Sequence, residues 1–128
     1  MRGVSALWTS DEIAGATGGA AAEHFEVSGV PRELVQAVGL QLTPDGSRAY
    51  VALGPANRVA EVDAKSFKVL KTYLVGQRVW HIALSPDGGR LYTANGNSSD
   101  VSVIDLKRSE VVKTVGVGRS PWGVVVAP

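Results

Sequence analysis

The chain has 128 residues, 45% of them apolar and 20% charged, which is the balance of a folded domain rather than of a disordered chain. Thirteen basic and twelve acidic residues leave a net charge of +1, so we expect no nucleic-acid partner. Cysteine is absent, which excludes thiol catalysis, disulfides and Cys-ligated zinc. No apolar run reaches the roughly 20 residues that span a bilayer, so we also expect no membrane span.

The N-terminal segment lacks the pattern of a secretory signal. Arg2 is the only basic residue near the start, and Asp11 and Glu12 stand where such a signal has its apolar core. The Gly- and Ala-rich stretch at residues 14–22 is typical of a loop. We therefore expect no export signal in this segment.

An internal repeat of 42 residues organises the rest of the chain. Residues 39–80 align with residues 81–122 without a gap, and 17 of the 42 paired positions are identical. A third copy begins at Gly123 and runs to the last residue, Pro128. A divergent copy occupies residues 1–38. Periods of this length are typical of repeat architectures, in which each unit buries its apolar face against its neighbours.

Each copy contains four short apolar runs separated by turn residues. In the second copy, Ser85-Pro86-Asp87-Gly88 predicts a tight turn, because Pro presets φ and Gly accepts a positive φ. Strands are predicted at residues 90–94, 101–104 and 111–117, and no window has a sustained helical period. Four antiparallel strands per unit of this length are the pattern of a β-propeller blade. We predict an all-β fold of about three blades in an incomplete ring, with blades at 1–38, 39–80 and 81–122 and a further or closing strand from 123 to 128.

Two segments carry a resemblance to a known repeat. Tyr-Val-Ala-Leu at 50–53 and Tyr-Thr-Ala-Asn at 92–95 each follow Pro-Asp-Gly and precede a Val-x-x-Val/Ile-Asp run. In this they resemble the YVTN β-propeller repeat. Residues 8–10, 51–60, 75–80 and 117–126 are similar to the C-terminal part of the periplasmic β-propeller family associated with pyrroloquinoline-quinone-dependent alcohol catabolism. That resemblance implies a periplasmic location and a role beside quinoproteins, and its members are much longer than this chain.

Most recurring residues have a structural interpretation. Trp80 and Trp122 occupy the same repeat position, where packing between blades is favoured over stacking on a planar quinone or sugar. Tyr50 and Tyr92 are expected in the core of the second strands. The recurring carboxylates at 63 and 105 are expected to hold the turns that follow them, not to form a catalytic pair.

A rim site is the one functional candidate. His81 breaks the repeat, since Gly39 and Gly123 stand at the same position. A ligand or proton-shuttle role for His81 competes with a simple buried, hydrogen-bonded histidine. Arg78 and Arg119 flank the same segment of successive copies and would either hold an anionic partner or remain solvated. The predicted ligand or partner rim consists of Arg78, Trp80, His81, Arg119 and Trp122.

We therefore predict a non-catalytic binding or scaffold module without a cofactor or metal, which takes a protein partner or small ligand at the propeller mouth. Two alternatives remain: a truncated propeller fragment without independent activity, and a lactonase-like enzyme. The second needs carboxylates around an axial cation, and the stretches at 77–80 and 119–122 contain none. Because an open stack of blades leaves apolar faces uncovered, we also expect self-association, with a ring shared between chains as one form.

Overall fold

Two four-stranded antiparallel sheets make up the architecture of residues 27–128, the part of the chain that the computed structural model describes. The first sheet contains β1 (Gly39–Leu42), β2 (Arg48–Ala52), β3 (Arg58–Asp63) and β4 (Val69–Leu74). The second contains β5 (Val79–Leu84), β6 (Arg90–Asn95), β7 (Asp100–Asp105) and β8 (Glu110–Gly116). In both sheets the strands lie side by side in chain order. The predicted all-β class and the four-stranded antiparallel unit are confirmed.

Helical structure in this part of the chain is limited to two 3₁₀ turns, Arg32–Leu34 and Gly54–Ala56. The divergent first copy lies outside the described residues except for its last twelve positions. The second sheet begins at Val79, so its first strand includes the last two residues of the first full repeat. Among residues 27–128, no helix is long and apolar enough to cross a membrane.

The turns between the first two strands of each sheet are built around an aspartate. The hydroxyl of Ser85 donates to Asp87 Oδ1 (2.6 Å), and the backbone N–H of Gly88 donates to the carbonyl of Ser85 (2.8 Å). Gly88 adopts φ +73°, the left-handed conformation that this position was predicted to need. The first sheet repeats this arrangement: Thr43 donates to Asp45 Oδ1 (2.7 Å), with the following glycine at φ +74°. The predicted tight turn is confirmed in both copies.

Asp63 and Asp105 close the turns that follow the third strands, as predicted. Each carboxylate accepts two backbone N–H groups, those of residues 65 and 66 in the first sheet and of residues 107 and 108 in the second, at 2.9–3.1 Å. Because backbone donors favour the charged form, they lower the pKa of Asp63. These two carboxylates are turn residues on separate sheets and form no pair.

The two sheets pack face to face through one apolar cluster. The first sheet contributes side chains of β2, β3 and β4, and the second contributes side chains of β5, β6 and β7. Its members are less than 5% exposed, so at about 25 cal/mol per Å² of buried apolar area this contact is the main stabilising interaction between the sheets. The buried residues are Tyr50, Ala52, Val59, Tyr73, Val79, Ile82, Leu91 and Ile104.

The opposite face of the first sheet is covered by the segment that precedes it. Val27 is buried against this face, and Val30 and Val35 pack beside it. They cover a second apolar cluster of the sheet, which includes Val51, Leu53, Ala60 and Val62. The first sheet is thus buried on both faces. The second sheet is not enclosed in the same way, and the two sheets do not close into a ring.

Protonation of Asp45 should destabilise the fold only at strongly acidic pH. The backbone N–H of Ser47 and the hydroxyls of Thr43 and Ser47 lower the pKa of Asp45 to about 2, from 3.8. Because the folded-state pKa is depressed, the stabilising contribution is complete above about pH 4 and disappears as the pH falls through about 2. We expect Asp45→Asn to reduce the pH dependence of the unfolding free energy across this interval. A carboxyl-carbon NMR titration of the native chain measures the pKa directly, and a midpoint near 3.8 would contradict the assignment.

Candidate functional site

The candidate rim begins at residues 75–78, which connect the two sheets. Arg78 adopts φ +53°, an unusual left-handed conformation for a long side chain. Asn57 holds it there, because the Asn57 side-chain oxygen accepts the backbone N–H of Arg78 (2.7 Å) and the Asn57 carbonyl accepts the N–H of Val75 (2.9 Å). The backbone direction at the base of the Arg78 side chain is therefore set by Asn57, which directly precedes the third strand of the first sheet.

The same geometry recurs one repeat later. Ser120 has φ +51°, and its backbone N–H donates to Ser99 Oγ (3.4 Å). The Ser99 carbonyl accepts the N–H of Val117 (2.9 Å), as Asn57 does for Val75. We call the left-handed residues Arg78 and Ser120 corners, because the chain turns there from the outer strand of one unit toward the start of the next. They place Trp80 and Trp122 two residues after their corners.

A buried polar network supports the connecting segment from the second sheet. Asn95 is fully buried; its side-chain nitrogen donates to Asp100 Oδ1 (2.8 Å) and to Ser102 Oγ (3.0 Å). Its side-chain oxygen accepts the hydroxyl of Thr93 (2.8 Å), and Ser98 donates to Asp100 Oδ1 (2.9 Å). Among residues 27–128, every buried side-chain nitrogen and oxygen has a hydrogen-bond partner. Such satisfied networks favour one arrangement of the groups they join.

Hydrogen bonds attach this network to the connection between the sheets. The N–H of Gln77 donates to Ser98 Oγ (2.8 Å), and the N–H of Gly76 donates to Ser102 Oγ (3.4 Å). The Arg78 carbonyl accepts the N–H of Gly96 (2.9 Å). This network was not predicted from the sequence. Its signal was the replacement of apolar residues in the first copy by polar ones in the second, namely Val51 by Thr93, Leu53 by Asn95 and Ala60 by Ser102.

Three of the predicted rim residues form a stack. The Arg78 guanidinium carbon lies 4.5 Å from the ring centroid of Trp80, within the range of a cation–π contact. The Trp80 and Trp122 rings are parallel within 5°, with their centroids 5.2 Å apart. We call Arg78, Trp80 and Trp122 the rim stack. The Trp122 residue is 73% exposed, so this end of the stack is open to solvent.

The other two predicted residues stand apart from the stack. His81 is half-buried in β5, and its Nδ1 accepts the backbone N–H of Val124 (3.4 Å). Arg119 is exposed, and within residues 27–128 its side chain forms no hydrogen bond or ion pair. His81 therefore links β5 to the C-terminal segment, and Arg119 is an exposed cation three residues before Trp122 in the sequence.

Glu61 lies beside two tyrosines, Tyr50 and Tyr73, that belong to the cluster between the sheets. It accepts the hydroxyl of Tyr73 (2.9 Å), and Arg48 Nε lies 3.7 Å from its other oxygen. Burial and the Glu61 charge together raise the pKa of Tyr50 to about 12, and they also raise the pKa of Tyr73. Both tyrosines stay protonated over the physiological range, so this cluster is a hydrogen-bonded part of the core. No group of three or more His, Asp or Glu side chains in the described range is arranged to hold a metal ion.

Solved structures of β-propeller-type proteins are similar to this chain. Kuenenia stuttgartiensis hydrazine synthase aligns with 82% of the chain at 30% identity and a TM-score of 0.72. A protein of unknown function from Desulfotomaculum acetoxidans aligns with 77% at 20% identity and a TM-score of 0.66. Citrobacter koseri AztD in its apo form aligns with 71% at 16% identity and a TM-score of 0.61. No protein-family model matches the chain, and no curated protein does.

These similarities establish the fold of the described residues as a part of a β-propeller-type architecture. The chain spans only 30%, 33% and 27% of the lengths of those three structures. The two latter similarities, at 20% and 16% identity, concern the fold alone.

Gly76→Ala should weaken the connection between the sheets. A Cβ at this position would overlap the side chains of Asn95, Ser98 and Asp100, whereas a Cβ at the repeat-equivalent Gly118 would meet nothing within 4 Å. We expect Gly76→Ala to lower the free energy of unfolding by about 1–3 kcal/mol, as other overpacked positions do. Gly118→Ala serves as the matched control and should change it by less than about 0.5 kcal/mol, the usual effect of a surface substitution. Equal losses in denaturant titrations of the two variants would argue against this role of the network.

Gly96→Ala should displace the rim stack. The indole of Trp80 lies against Gly96, and an added Cβ would overlap the indole ring. The two stacked indoles should give an exciton couplet in circular dichroism, which we expect Gly96→Ala to weaken. Gly116→Ala, where an added Cβ meets nothing within 4 Å, should leave the couplet unchanged. Trp8 is present in all three proteins and cancels in the comparison. An undiminished couplet in the Gly96→Ala variant would contradict the packing described above.

Proposed function

We propose that this chain acts as a non-catalytic binding module of β-propeller type and that its contact surface is the predicted rim. The observation that carries the proposal is the rim stack, in which a guanidinium and two parallel indoles end in an exposed tryptophan. Exposed tryptophan is uncommon in surfaces that serve only folding, and it is enriched at sites where proteins bind partners.

The chemistry of the rim favours a planar anion. The free face of the Trp122 ring can stack on a flat conjugated group, as one more layer of the existing stack. Arg78 supports the stack at its other end, and the unpaired Arg119 adds a second cation nearby in the chain. A flat ligand with carboxylates, or an acidic segment of a protein partner that carries an aromatic side chain, would satisfy both features.

The stack is held in place before any ligand arrives. The backbone of Arg78 is fixed by Asn57, and the Trp80 ring rests against Gly96. A surface that needs little ordering on binding loses less conformational entropy, which increases affinity at a given contact area. This preorganisation supports a binding role for residues that would otherwise serve packing alone.

The biological setting of the proposal comes from the repeat resemblance. Similarity to the periplasmic family associated with pyrroloquinoline-quinone-dependent alcohol catabolism leads us to propose a periplasmic module that accompanies quinoprotein alcohol oxidation. Pyrroloquinoline quinone is itself planar and anionic, so it is a suitable probe of the rim. The alternative of a propeller fragment without independent activity predicts no binding by this chain.

Isothermal titration calorimetry, in which pyrroloquinoline quinone is titrated into the full chain and the heat of binding is measured, tests the proposal. We expect saturable binding that is about tenfold weaker in Trp122→Ala and in Arg78→Gln, since one stacking or cation–π contact contributes about 1–2 kcal/mol. A neutral planar quinone should bind more weakly than the anion.

Arg108→Gln is the matched control, because Arg108 is an exposed arginine that pairs with Glu110 (3.0 Å) away from the rim. It should bind as the unchanged chain does. No saturable heat from the unchanged chain would reject the planar-anion rim and favour the fragment alternative. Equal affinities of the Arg78, Trp122 and Arg108 variants would place the binding elsewhere.

A further inference from the structure

Two successive residues of β5, Trp80 and His81, contact the segment that carries Trp122. The Trp80 ring stacks on Trp122, and His81 Nδ1 accepts the backbone N–H of Val124 (3.4 Å). Trp80 is the extra residue of a β-bulge, since the pairing of β5 with β6 shifts between Val79 and His81. A bulge re-aims side chains at one point of a strand. Here both side chains reach the same neighbouring segment.

Trp122 lies between two points at which the chain is attached to the second sheet. Two residues before it, the N–H of Ser120 donates to a serine hydroxyl of the loop between β6 and β7 (3.4 Å). Two residues after it, the N–H of Val124 donates to His81. Residues 121–128, the C-terminal segment, belong to no strand of the described structure. Because Trp122 is 73% exposed, the position of its ring depends on these attachments as well as on the stack.

The junction between the two sheets shows the same place without an imidazole. There Gly39 stands at the repeat position of His81, and an added Cβ would lie 3.8 Å from a side-chain carbon of Ile82, the repeat-equivalent of Val124. At both junctions the first position of one repeat thus faces the second position of the next. The residue before Gly39 is Val38, so this junction has no aromatic ring to position. The imidazole is present at the junction where the rings stack.

The hydrogen bond from Val124 defines the protonation state of the imidazole. A backbone N–H can only donate, so Nδ1 is the unprotonated nitrogen, and the neutral ring carries its proton on Nε2. A protonated imidazole has a hydrogen on both nitrogens, and two donors would then face each other. The attachment that follows Trp122 would be lost. Histidine changes between these two forms in the range of about pH 5 to 8.

The elements that pack against β5 carry no Asp or Glu. They are β1, β2, β6, the second 3₁₀ turn and the C-terminal segment. Their ionisable residues are two arginines and two tyrosines, namely Arg48, Tyr50, Arg90 and Tyr92. Tyr92 is on the His81 side of β6, because it stands two residues from Ala94, which pairs with His81, and tyrosine is uncharged in this pH range. Arg78 and Arg119 in the flanking segments are cations, so these surroundings offer a protonated imidazole no anion in place of the lost bond.

We propose that His81 positions Trp122 in the rim stack and that protonation of the imidazole releases the exposed ring. His81 is a positioning residue, since it acts on the ring through the backbone of Val124. The rim stack is then complete at about pH 8 and open at about pH 5. As a control of ligand binding this inference rests on the proposed function, whereas the stack itself can be followed without a ligand.

The exciton couplet of the ligand-free full chain tests this proposal, recorded by circular dichroism between about pH 8 and about pH 5. We expect the couplet of the unchanged chain to be lost on acidification and to return on neutralisation. His81→Asn should keep the couplet throughout, because the amide oxygen can accept in place of Nδ1 and does not titrate. His81→Gly, which restores the residue found at positions 39 and 123, should weaken the couplet at every pH.

His24→Asn is the matched control, because His24 is the only other histidine of the chain and lies outside the described residues. It should retain the pH dependence of the unchanged chain. A thermal melt of each variant at both ends of the pH range establishes that a lost couplet is not a loss of folding. Should His81→Gly fail to fold, the comparison of the unchanged chain with His81→Asn decides the question.

The tautomer of His81 is a second and direct readout. A long-range proton–nitrogen NMR spectrum of the neutral ring should show the proton on Nε2 and a bare Nδ1. A proton on Nδ1 would remove the acceptor on which the proposal depends and would overturn it.

Two results of the couplet measurement would also overturn the proposal. One is a couplet of the unchanged chain that persists in acid, and the other is an equal loss in acid for the unchanged chain and His81→Asn. Failure of the proposed function is recognised separately. A chain with a pH-dependent couplet that binds no pyrroloquinoline quinone rejects the binding role alone, and a chain that binds it with a pH-independent couplet rejects the role of His81 alone.

Discussion

Burial of one sheet face against the next is the interaction on which the described structure depends. A single twisted sheet of four short strands has two faces, and water must be excluded from at least one of them for stability. Here the first sheet is covered on one side by the second sheet and on the other by residues 27–35. The polar network and the rim stack assemble at the edge of that contact, where the connection at residues 75–78 crosses from sheet to sheet.

Much of this fold could be predicted from the sequence because its determinants are local and repeated. The turn at Ser85–Gly88 and the aspartates that cap the turns after the third strands depend on neighbouring residues, and the ungapped repeat shows each of them twice. The four-stranded unit follows from the same periodicity. The blade predicted at residues 1–38 and the predicted partner of the rim are not tested by the structure and stay predictions.

The details of the site could not be predicted in the same way, because they arise between segments distant in the chain. Trp80 and Trp122 were assigned to packing between blades, but nothing in the sequence indicates that they stack on each other 42 positions apart. The partners of Asn95 come from a different strand and its loop. Arg78 has no turn residue type that would have signalled its left-handed backbone, which is imposed by Asn57.

The left-handed corners have a consequence for how such a chain can diversify. Asn57 and Ser99 share one conformation, as do Arg78 and Ser120, although each pair differs in side chain. The path of the main chain is therefore preserved while residue identity changes. Mutation can exchange the chemical group presented at a corner, cation for hydroxyl, without altering the left-handed backbone there. Binding specificity, which depends on the side chains at the corners, can accordingly change in evolution while the backbone architecture stays the same.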